Sequence, residues 1–380
     1  MYSRTTTLGL AGLLGAALLA AACSEPVGPS RGALDAPRFA VTASGIALDQ
    51  QNGTLNESGT MLIKGFNTTS PHVGDAIIAT FFWAGSTNII DSVTDVLTTA
   101  PSYTPVGNTY TLVEYVTSGG FSMATYVATN VQHFPDAYNN IRQDSILAVR
   151  ANLSKAVTDG GLLISAYTGV NAVSALALGA HHSATGSGST TTTADPGAIA
   201  IGTGALAYGV SMSGLYGMSG PAGYTPLQTM SDAALKADGE YTVTSAVGSA
   251  DPQWTWYFNA PSAWLATVLA LNPPLHFVFT VQPTTTLPLV AIQPPVRVAA
   301  VDAFGNTVTT FTGSVTIAIG HNGGLLTPGT LSGTKTVTAV NGVATFSDLS
   351  VDQPGNGYTL VVTATSVTGA ESAAFNIGAL

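Results

Sequence analysis

The 380-residue sequence predicts an all-β protein. Charged residues make up only 8% of the chain and hydrophobic residues 46%, a balance opposite to that of a disordered chain. Glycine is frequent, with 42 residues, and Thr and Ser are abundant, which favours short strands and tight turns over helices. Short apolar or alternating runs recur between turn residues, and heptads or long stripes with a 3.6-residue period are not apparent.

The N-terminus has the parts of an export signal. Arg4 supplies a positive charge, residues 8–22 form an apolar run of Leu, Ala and Gly, and three alanines at 20–22 suit cleavage. The run is shorter than the ~20 apolar residues that a membrane-spanning helix needs. We therefore expect residues 1–22 to be a signal peptide.

Cys23, the only cysteine of the chain, follows directly. Residues 20–23 resemble the lipobox of bacterial lipoproteins, in which the cysteine is acylated and becomes the mature N-terminus, although Ala20 stands where Leu or Val is usual. The resemblance implies a membrane-anchored lipoprotein at the bacterial outer membrane or cell surface. Simple secretion after A-x-A cleavage is the alternative, but it leaves a lone thiol in oxidising surroundings. Residues 23–40, rich in Pro and Gly, are expected to form a flexible tether.

Residues 41–272 are predicted to form a jelly-roll-like β-sandwich, because many short strands alternate with turns. Asp159 to Gly161 are expected to form one of these turns, between strands at 146–149 and 162–167. A weak internal repeat predicts two similar halves. The repeated segments are 74–79, 110–113 and 162–167 in the first half, and 197–202, 223–227 and 263–268 in the second.

The second half of this region also carries a resemblance to a known module. Gly223-Tyr224-Thr225 before a strand and the aromatic run at 254–258 resemble a jelly-roll module of secreted and surface proteins. That family has no general catalytic motif, so the resemblance implies a fold and no activity.

Residues 273–380 are predicted to form an immunoglobulin-like β-sandwich. Pro273 and Pro274 mark the boundary, because proline cannot continue a hydrogen-bonded ladder. Seven short strands in this length suit the immunoglobulin-like fold. The candidate strands are 275–281, 295–301, 314–319, 335–340, 343–346, 358–365 and 372–377.

Two turns in this region have a local mechanism. Asn341-Gly342 between two apolar runs predicts a hairpin, since a type I′ turn needs positive φ at both central residues. In the segment 302–306, Asp302 can cap the turn and Gly305 can take the left-handed conformation. With the segments 279–283 and 311–316, these residues resemble the bacterial Ig-like repeats of surface and adhesin-type proteins, which implies a spacer or adhesive role.

Metal-binding motifs are not found. The six histidines lack zinc-type spacing, and no calcium loop of the D-x-[DN]-x-[DN]-G type is present. His181-His182 is expected to open a solvated loop over 183–193, rich in Gly, Ser and Thr. The sequence therefore predicts no metal and no cofactor.

Catalytic motifs are not found either. Ser122 lies in the nearest approach to G-x-S-x-G, but the final glycine is missing and the context is a strand. The acidic residues at 91 and 95, and at 232, 238 and 240, are close in sequence and could form a glycosidase pair, but we expect them in solvated turns. The sequence thus predicts no enzyme and no catalytic residue.

Trp254 and Trp256 alternate and would share one face of a strand. That face is either core or a platform on which a sugar stacks. The functional prediction is a non-enzymatic surface lipoprotein for display, adhesion or ligand binding, with a glycan or another surface protein as partner. A carbohydrate-binding module and a polysaccharide-acting hydrolase are the alternatives. The net charge of −10 excludes nucleic acid as a partner.

Overall fold

The computed structural model describes residues 45–67, 69–99, 102–136, 145–186, 193–214, 217–256, 262–302, 305–365 and 367–378. Their structure is all-β, with a single four-residue helix, α1 Ser174–Ala177. No helix within these ranges is long and apolar enough to cross a membrane. The predicted signal peptide (1–22) and tether (23–40), with Cys23, lie outside the described residues.

Seventeen strands precede residue 272. They are β1 Ala47–Gly65, β2 Ala76–Ala84, β3 Ile90–Thr99, β4 Ser102–Pro105, β5 Thr111–Ser118, β6 Phe121–Ala128, β7 Ile146–Thr168, β8 Leu178–Gly186, β9 Thr193–Ala194, β10 Ile199–Ile201, β11 Leu206–Ser213, β12 Met218–Ser219, β13 Thr225–Ser231, β14 Lys236–Val243, β15 Gly248–Ala250, β16 Trp254–Trp256 and β17 Trp264–Leu271. Most of them form two antiparallel sheets. One has the order β4-β3-β7-β2-β6-β5, with β1 also paired to β7, and the other has the order β13-β14-β11-β17-β8.

The two sheets repeat one topology. The order β7-β2-β6-β5 in the first corresponds to β17-β11-β14-β13 in the second. In both, the strand that comes first in the chain lies between the last strand and the third, and the second strand forms an edge. β5 and β13 both begin at a threonine that follows a tyrosine, as the sequence repeat suggests. The first strand of the second half is β11, however; the segment 197–202 contains the short β10, which pairs only with β15.

These two sheets share one hydrophobic core. Phe82 and Leu163 from the first sheet and Leu269 from the second are buried members of the same cluster. A buried hydrogen bond of 2.9 Å between the Thr80 and Tyr208 hydroxyls also joins the sheets. The sheets therefore face each other across a core that contains polar groups as well as apolar side chains.

The turn predicted at 159–161 is wrong, because β7 runs through it without a break. β7 pairs along most of its length with β1, a polar strand that shows no apolar alternation. A Cβ on Gly161 would lie 2.1 Å from the Thr54 carbonyl oxygen. Glycine is thus required here by the close approach of the β1 backbone and not by a turn.

Eleven strands follow residue 274. They are β18 Leu275–Val281, β19 Val296–Val301, β20 Ser314–Ile319, β21 Leu331–Ser332, β22 Thr336–Thr338, β23 Val343–Phe346, β24 Ser350–Val351, β25 Gly355–Tyr358, β26 Leu360–Ala364, β27 Val367–Glu371 and β28 Phe375–Ile377. Each of the seven candidate strands contains one of these strands, so those strand predictions are confirmed.

The C-terminal strands form a nearly closed, barrel-like sheet. Its order is β22-β20-β26-β27-β18-β19-β23, and the two edge strands β22 and β23 approach each other. The core inside it lies entirely between Leu275 and Ile377, whereas the other core clusters lie between Ile46 and Leu271.

Both predicted turns of this region are confirmed. Asn341 and Gly342 have φ values of 49° and 79°, and Val340 and Val343 exchange backbone hydrogen bonds of 2.9 and 3.0 Å. Gly305 has a φ of 83°, and the Asp302 carboxylate accepts the backbone N–H of residue 306 at 2.9 Å. The strands that flank Asn341-Gly342 do not continue as a hairpin, since β22 and β23 pair with different neighbours.

Candidate functional site

The two tryptophans predicted as a binding platform lie in different environments. Trp254 is completely buried, and its indole N–H donates a hydrogen bond of 3.0 Å to Asp238. Its ring has no exposed face against which a sugar could stack, so its position supports the core interpretation. Trp256 is half-buried and packs against the same cluster.

The expectation that Asp238 and Glu240 lie in a solvated turn is wrong. They stand two residues apart on β14, point to the same side and are each only 4% exposed. The Asp238 carboxylate accepts hydrogen bonds from Thr229 at 2.6 Å and from Trp254 at 3.0 Å. A cavity of about 210 Å³ adjoins Asp238. Met218 of β12 and residues of β13 and β14 also line this cavity.

These two carboxyl groups influence each other's ionisation. Burial raises the pKa of both, and the neighbouring negative charge of Asp238 helps raise the pKa of Glu240 to about 7. Their side chains are hydrogen-bonded to each other, which is closer than the separation of ~5 Å or more between glycosidase carboxyls. The pair is suited to holding β14 against β13 and β16.

Asp95 is also buried rather than in a solvated turn, and is only 1% exposed. It accepts hydrogen bonds from the Gly107 N–H at 3.1 Å and from the Asn108 side chain at 2.5 Å. Burial and this negative charge raise the pKa of Tyr110 well above its ordinary value. These contacts hold the 106–110 segment against β3. Asp91 is exposed, on β3.

His181 and His182 belong to strand β8, so the prediction that they open a loop is wrong. Glu114 on β5 lies between His181 Nδ1, at 2.6 Å, and Ser183 Oγ, also at 2.6 Å. A catalytic triad needs the histidine between the serine and the acid. Because the carboxylate takes the central place here, this cluster joins the edge strands β5 and β8 without activating Ser183.

Ser122 has a structural role. It is fully buried in β6, where its hydroxyl donates a hydrogen bond of 2.8 Å to the Gly85 carbonyl. A nucleophile must be exposed to substrate, so the interpretation of this motif as a strand entry is supported.

One cluster of ligand-type side chains was not anticipated. Asp49, His72 and Asp75 each place an oxygen or ring nitrogen within 4.8 Å of the others. Burial and the nearby Asp49 carboxylate raise the pKa of Asp75 to about 8. Asp49 lies 23 residues before His72, too far to belong to a local metal motif, so no sequence signal could have found the cluster.

The C-terminal barrel exposes five aliphatic side chains in two segments, which together we call the aliphatic tip. Its two segments each contain a strongly exposed leucine, Leu289 at 72% and Leu326 at 96%. Its members are Leu287, Leu289, Val290, Leu325 and Leu326.

Backbone hydrogen bonds hold the two segments at one end of the barrel. The Leu289 N–H donates to the Val351 carbonyl at 2.9 Å, and the Leu325 N–H donates to the Pro354 carbonyl at 3.2 Å. The first segment connects the end of β18 to the start of β19. The aliphatic tip therefore lies at the end of β18 that is away from Leu275.

Leu289 has a strained backbone. Its φ is 64°, and a hydrogen bond of 3.2 Å from the Val290 N–H to the Leu287 carbonyl closes a turn around Pro288 and Leu289. Proline followed by a residue with positive φ is the pattern of a type II turn, where glycine or asparagine is usual in the second place. Leucine costs about 1–2 kcal/mol there, and strain of this kind marks candidate functional segments.

No family model matches the chain, and neither a curated protein nor a solved structure matches it significantly.

Proposed function

We propose that this protein is an exported lipoprotein, anchored through Cys23, that binds a protein partner through the aliphatic tip. The observation that carries the proposal is the aliphatic tip. Its five exposed aliphatic side chains lie in two segments at one end of the barrel, and one of them, Leu289, has a strained backbone. Contiguous exposed apolar patches on otherwise soluble domains mark interaction sites. Leu289 occupies a position where asparagine or glycine would be better for the fold, which supports a role outside folding.

The chemistry of the tip favours a protein over a glycan. All five side chains are aliphatic, with no aromatic ring to stack on a sugar and no polar group to bind hydroxyls. An apolar recess on a partner protein would bury them, and each buried leucine contributes about 1.5–3 kcal/mol. Glycan binding has less support, because Trp254 is buried. Hydrolysis of a polysaccharide has less support, because Asp238 and Glu240 are hydrogen-bonded to each other.

The predicted anchor fits this mode of binding. A patch of five side chains gives a weak single contact, but many copies held in one membrane bind together, and avidity can exceed single-site affinity by ~10²–10⁴. The tether at 23–40 would give each copy freedom to reach its partner. In this proposal the C-terminal barrel is a bacterial Ig-like adhesive domain and residues 41–272 a jelly-roll-like domain. The seven confirmed strands support the first of these assignments.

Anchoring and display are tested on intact bacterial cells that express the chain. Labelled fatty acid should enter the wild-type protein and not the Cys23→Ser variant, and mass spectrometry should find an acylated Cys23 as the mature N-terminus. Protease added outside the cells should release the C-terminal barrel. A free Cys23 thiol, or a barrel that stays protected while cells remain intact, contradicts the anchored-display part.

The tip is tested by attachment of beads coated with the full chain to a panel of cell surfaces. The double variant Leu289→Asn, Leu326→Ser should attach at least tenfold less. The control Val340→Asn removes an apolar side chain that is 69% exposed beside the Asn341-Gly342 turn, outside the tip, and should attach normally. Protease treatment of the target surface should abolish attachment. Attachment that survives in the double variant, or that persists on protein-free liposomes, overturns binding through the tip to a protein.

A further inference from the structure

We propose that Asp49, His72 and Asp75 form a binding site for a first-row divalent transition metal, with Zn²⁺ as the ion that this donor set favours. The site is separate from the aliphatic tip and does not depend on the proposed function.

The local fold brings the three side chains together. Asp49 lies in β1, while His72 and Asp75 stand in the turn that leads into β2, closed by a hydrogen bond of 3.2 Å from the Asp75 N–H to the His72 carbonyl. One ligand atom from each residue lies within 4.8 Å of the other two.

The spacing between the His72 and Asp49 donor atoms suits a small tetrahedral ion. The His72 Nδ1 lies 3.0 Å from Asp49 Oδ2. Two ligands of a tetrahedral zinc, with bonds of about 2.0–2.1 Å, are about 3.3 Å apart. An ion could therefore replace the proton between this nitrogen and oxygen with a movement of a few tenths of an ångström.

The backbone orients the carboxylates before any ion arrives. The His72 N–H donates hydrogen bonds to Asp49 Oδ2 at 3.0 Å and to Asp75 Oδ2 at 3.1 Å. The next N–H along the turn, from Val73, donates to Asp136 at 2.8 Å. Hydrogen bonds of this kind hold metal ligands in place and raise affinity.

The three neighbouring carboxyl groups favour the binding of a cation. Asp75 is only 2% exposed and faces the carboxylates of Asp49 and Asp136. In the described parts of the chain, the ion pairs are made by His72 and His181, and no Lys or Arg pairs with Asp75. A buried carboxyl group beside two carboxylates needs either a proton or a positive charge to compensate it. A divalent ion supplies that charge.

The donor types select the metal. Imidazole suits zinc and its first-row neighbours, whereas Ca²⁺ takes 6–8 oxygen ligands. Three protein ligands leave a tetrahedral ion one place for water or another ligand. The His72 side chain is 54% exposed, so an ion can enter from solvent. The bound ion would fasten the start of β1 to the turn before β2.

The test uses the full chain carrying Cys23→Ser, so that its only thiol cannot compete, stripped of metal by a chelator. Titration with ZnCl₂ in a calorimeter should give one site per chain. At about 100 times Kd, Zn²⁺ should raise the melting temperature by roughly 5–10 °C. CaCl₂ at the same concentration should leave it unchanged.

Two variants locate the site. His72→Gln, at an exposed side chain, and Asp75→Asn, which keeps the size of the buried side chain, should each weaken Zn²⁺ binding at least tenfold. His321→Gln changes an exposed histidine of the C-terminal barrel and should bind as tightly as the parent chain. Absence of a stoichiometric site in the parent overturns the proposal. So does unchanged affinity in His72→Gln, whose fold is checked by circular dichroism.

Discussion

The two structured parts of the chain distribute polar and apolar side chains in opposite ways. Among the described residues, all buried polar side chains except Asp302 and Ser372 lie before residue 272. The exposed large apolar side chains show the reverse: only Tyr103, Leu112 and Val247 belong to the first part, and the others belong to the C-terminal barrel. One part keeps polar groups inside, and the other keeps apolar groups outside.

The difference separates what each part needs for its fold from what it offers to other molecules. Buried polar groups must be hydrogen-bonded, and a satisfied network specifies one arrangement of strands. In the first part Asp95, Asp238 and the Thr80–Tyr208 pair serve in this way. Exposed leucines contribute little to a fold, which is why we propose a binding role for those of the barrel.

The largest expected effect is on the first part. Trp254→Ala removes a fully buried ring and leaves Asp238 without one hydrogen-bond donor. We expect the free energy of unfolding to fall by about 3–5 kcal/mol. All four tryptophans lie before residue 272, so tryptophan fluorescence during urea unfolding reports this part alone.

A matched variant separates the ring from the hydrogen bond. Trp254→Phe keeps much of the apolar volume and loses the donor, and should cost about 1–3 kcal/mol. Circular dichroism also reports the strands of the barrel. In both variants it should show unfolding of the barrel at a higher urea concentration than the tryptophan fluorescence transition. A loss below about 1 kcal/mol for Trp254→Ala would show that the first part does not depend on this buried contact.

A smaller effect is expected from pH. The pKa of Glu240 is raised from 4.5 to about 7, by burial first and by Asp238 second. The folded state therefore holds a proton that the unfolded state releases. Its contribution to stability is fully present below pH 4.5 and is lost as pH rises through 7. We expect a loss of about 2 kcal/mol between pH 5 and 8, less than the full shift implies because part of the loss falls below pH 5.

Glu240→Gln should flatten this pH dependence and be more stable than the parent at pH 8, measured by fluorescence-detected urea unfolding. Asp75, with a pKa of about 8, contributes a fall in the same direction, so the difference between parent and variant is the quantity to compare. Equal slopes in both proteins would mean that Glu240 does not carry the proton.

The smallest effect is expected in the barrel. Leu289→Asn places a residue that tolerates positive φ in the turn, at a side chain that is 72% exposed. Stability should rise by about 0.5–1 kcal/mol while attachment falls. Circular dichroism during thermal unfolding measures the first, with Val340→Asn expected within about 0.5 kcal/mol of the parent. A loss of stability in Leu289→Asn would mean that the tip serves the fold.

Some features could be predicted because they depend on neighbours in the chain. The turn at Asn341-Gly342 and the cap at Asp302 follow from the conformational preferences of those residues. Seven of the eleven described strands after residue 274 follow from short alternating runs between turn residues. The pairing of β22 and β23 with different neighbours could not be predicted, because it depends on strands far away in the chain.

By itself, the sequence determined the all-β class, seven strands of the barrel and the two turns predicted in it, since these depend on local backbone preferences. Only the tertiary structure decided that Gly161 lies inside a strand, that Asp238 and Glu240 are buried and that Asp49 meets His72 and Asp75. Burial and encounters between distant residues decide these features. A carboxylate in a solvated turn and one in a buried strand have the same sequence signature, and only the packing around them gives them different chemistry.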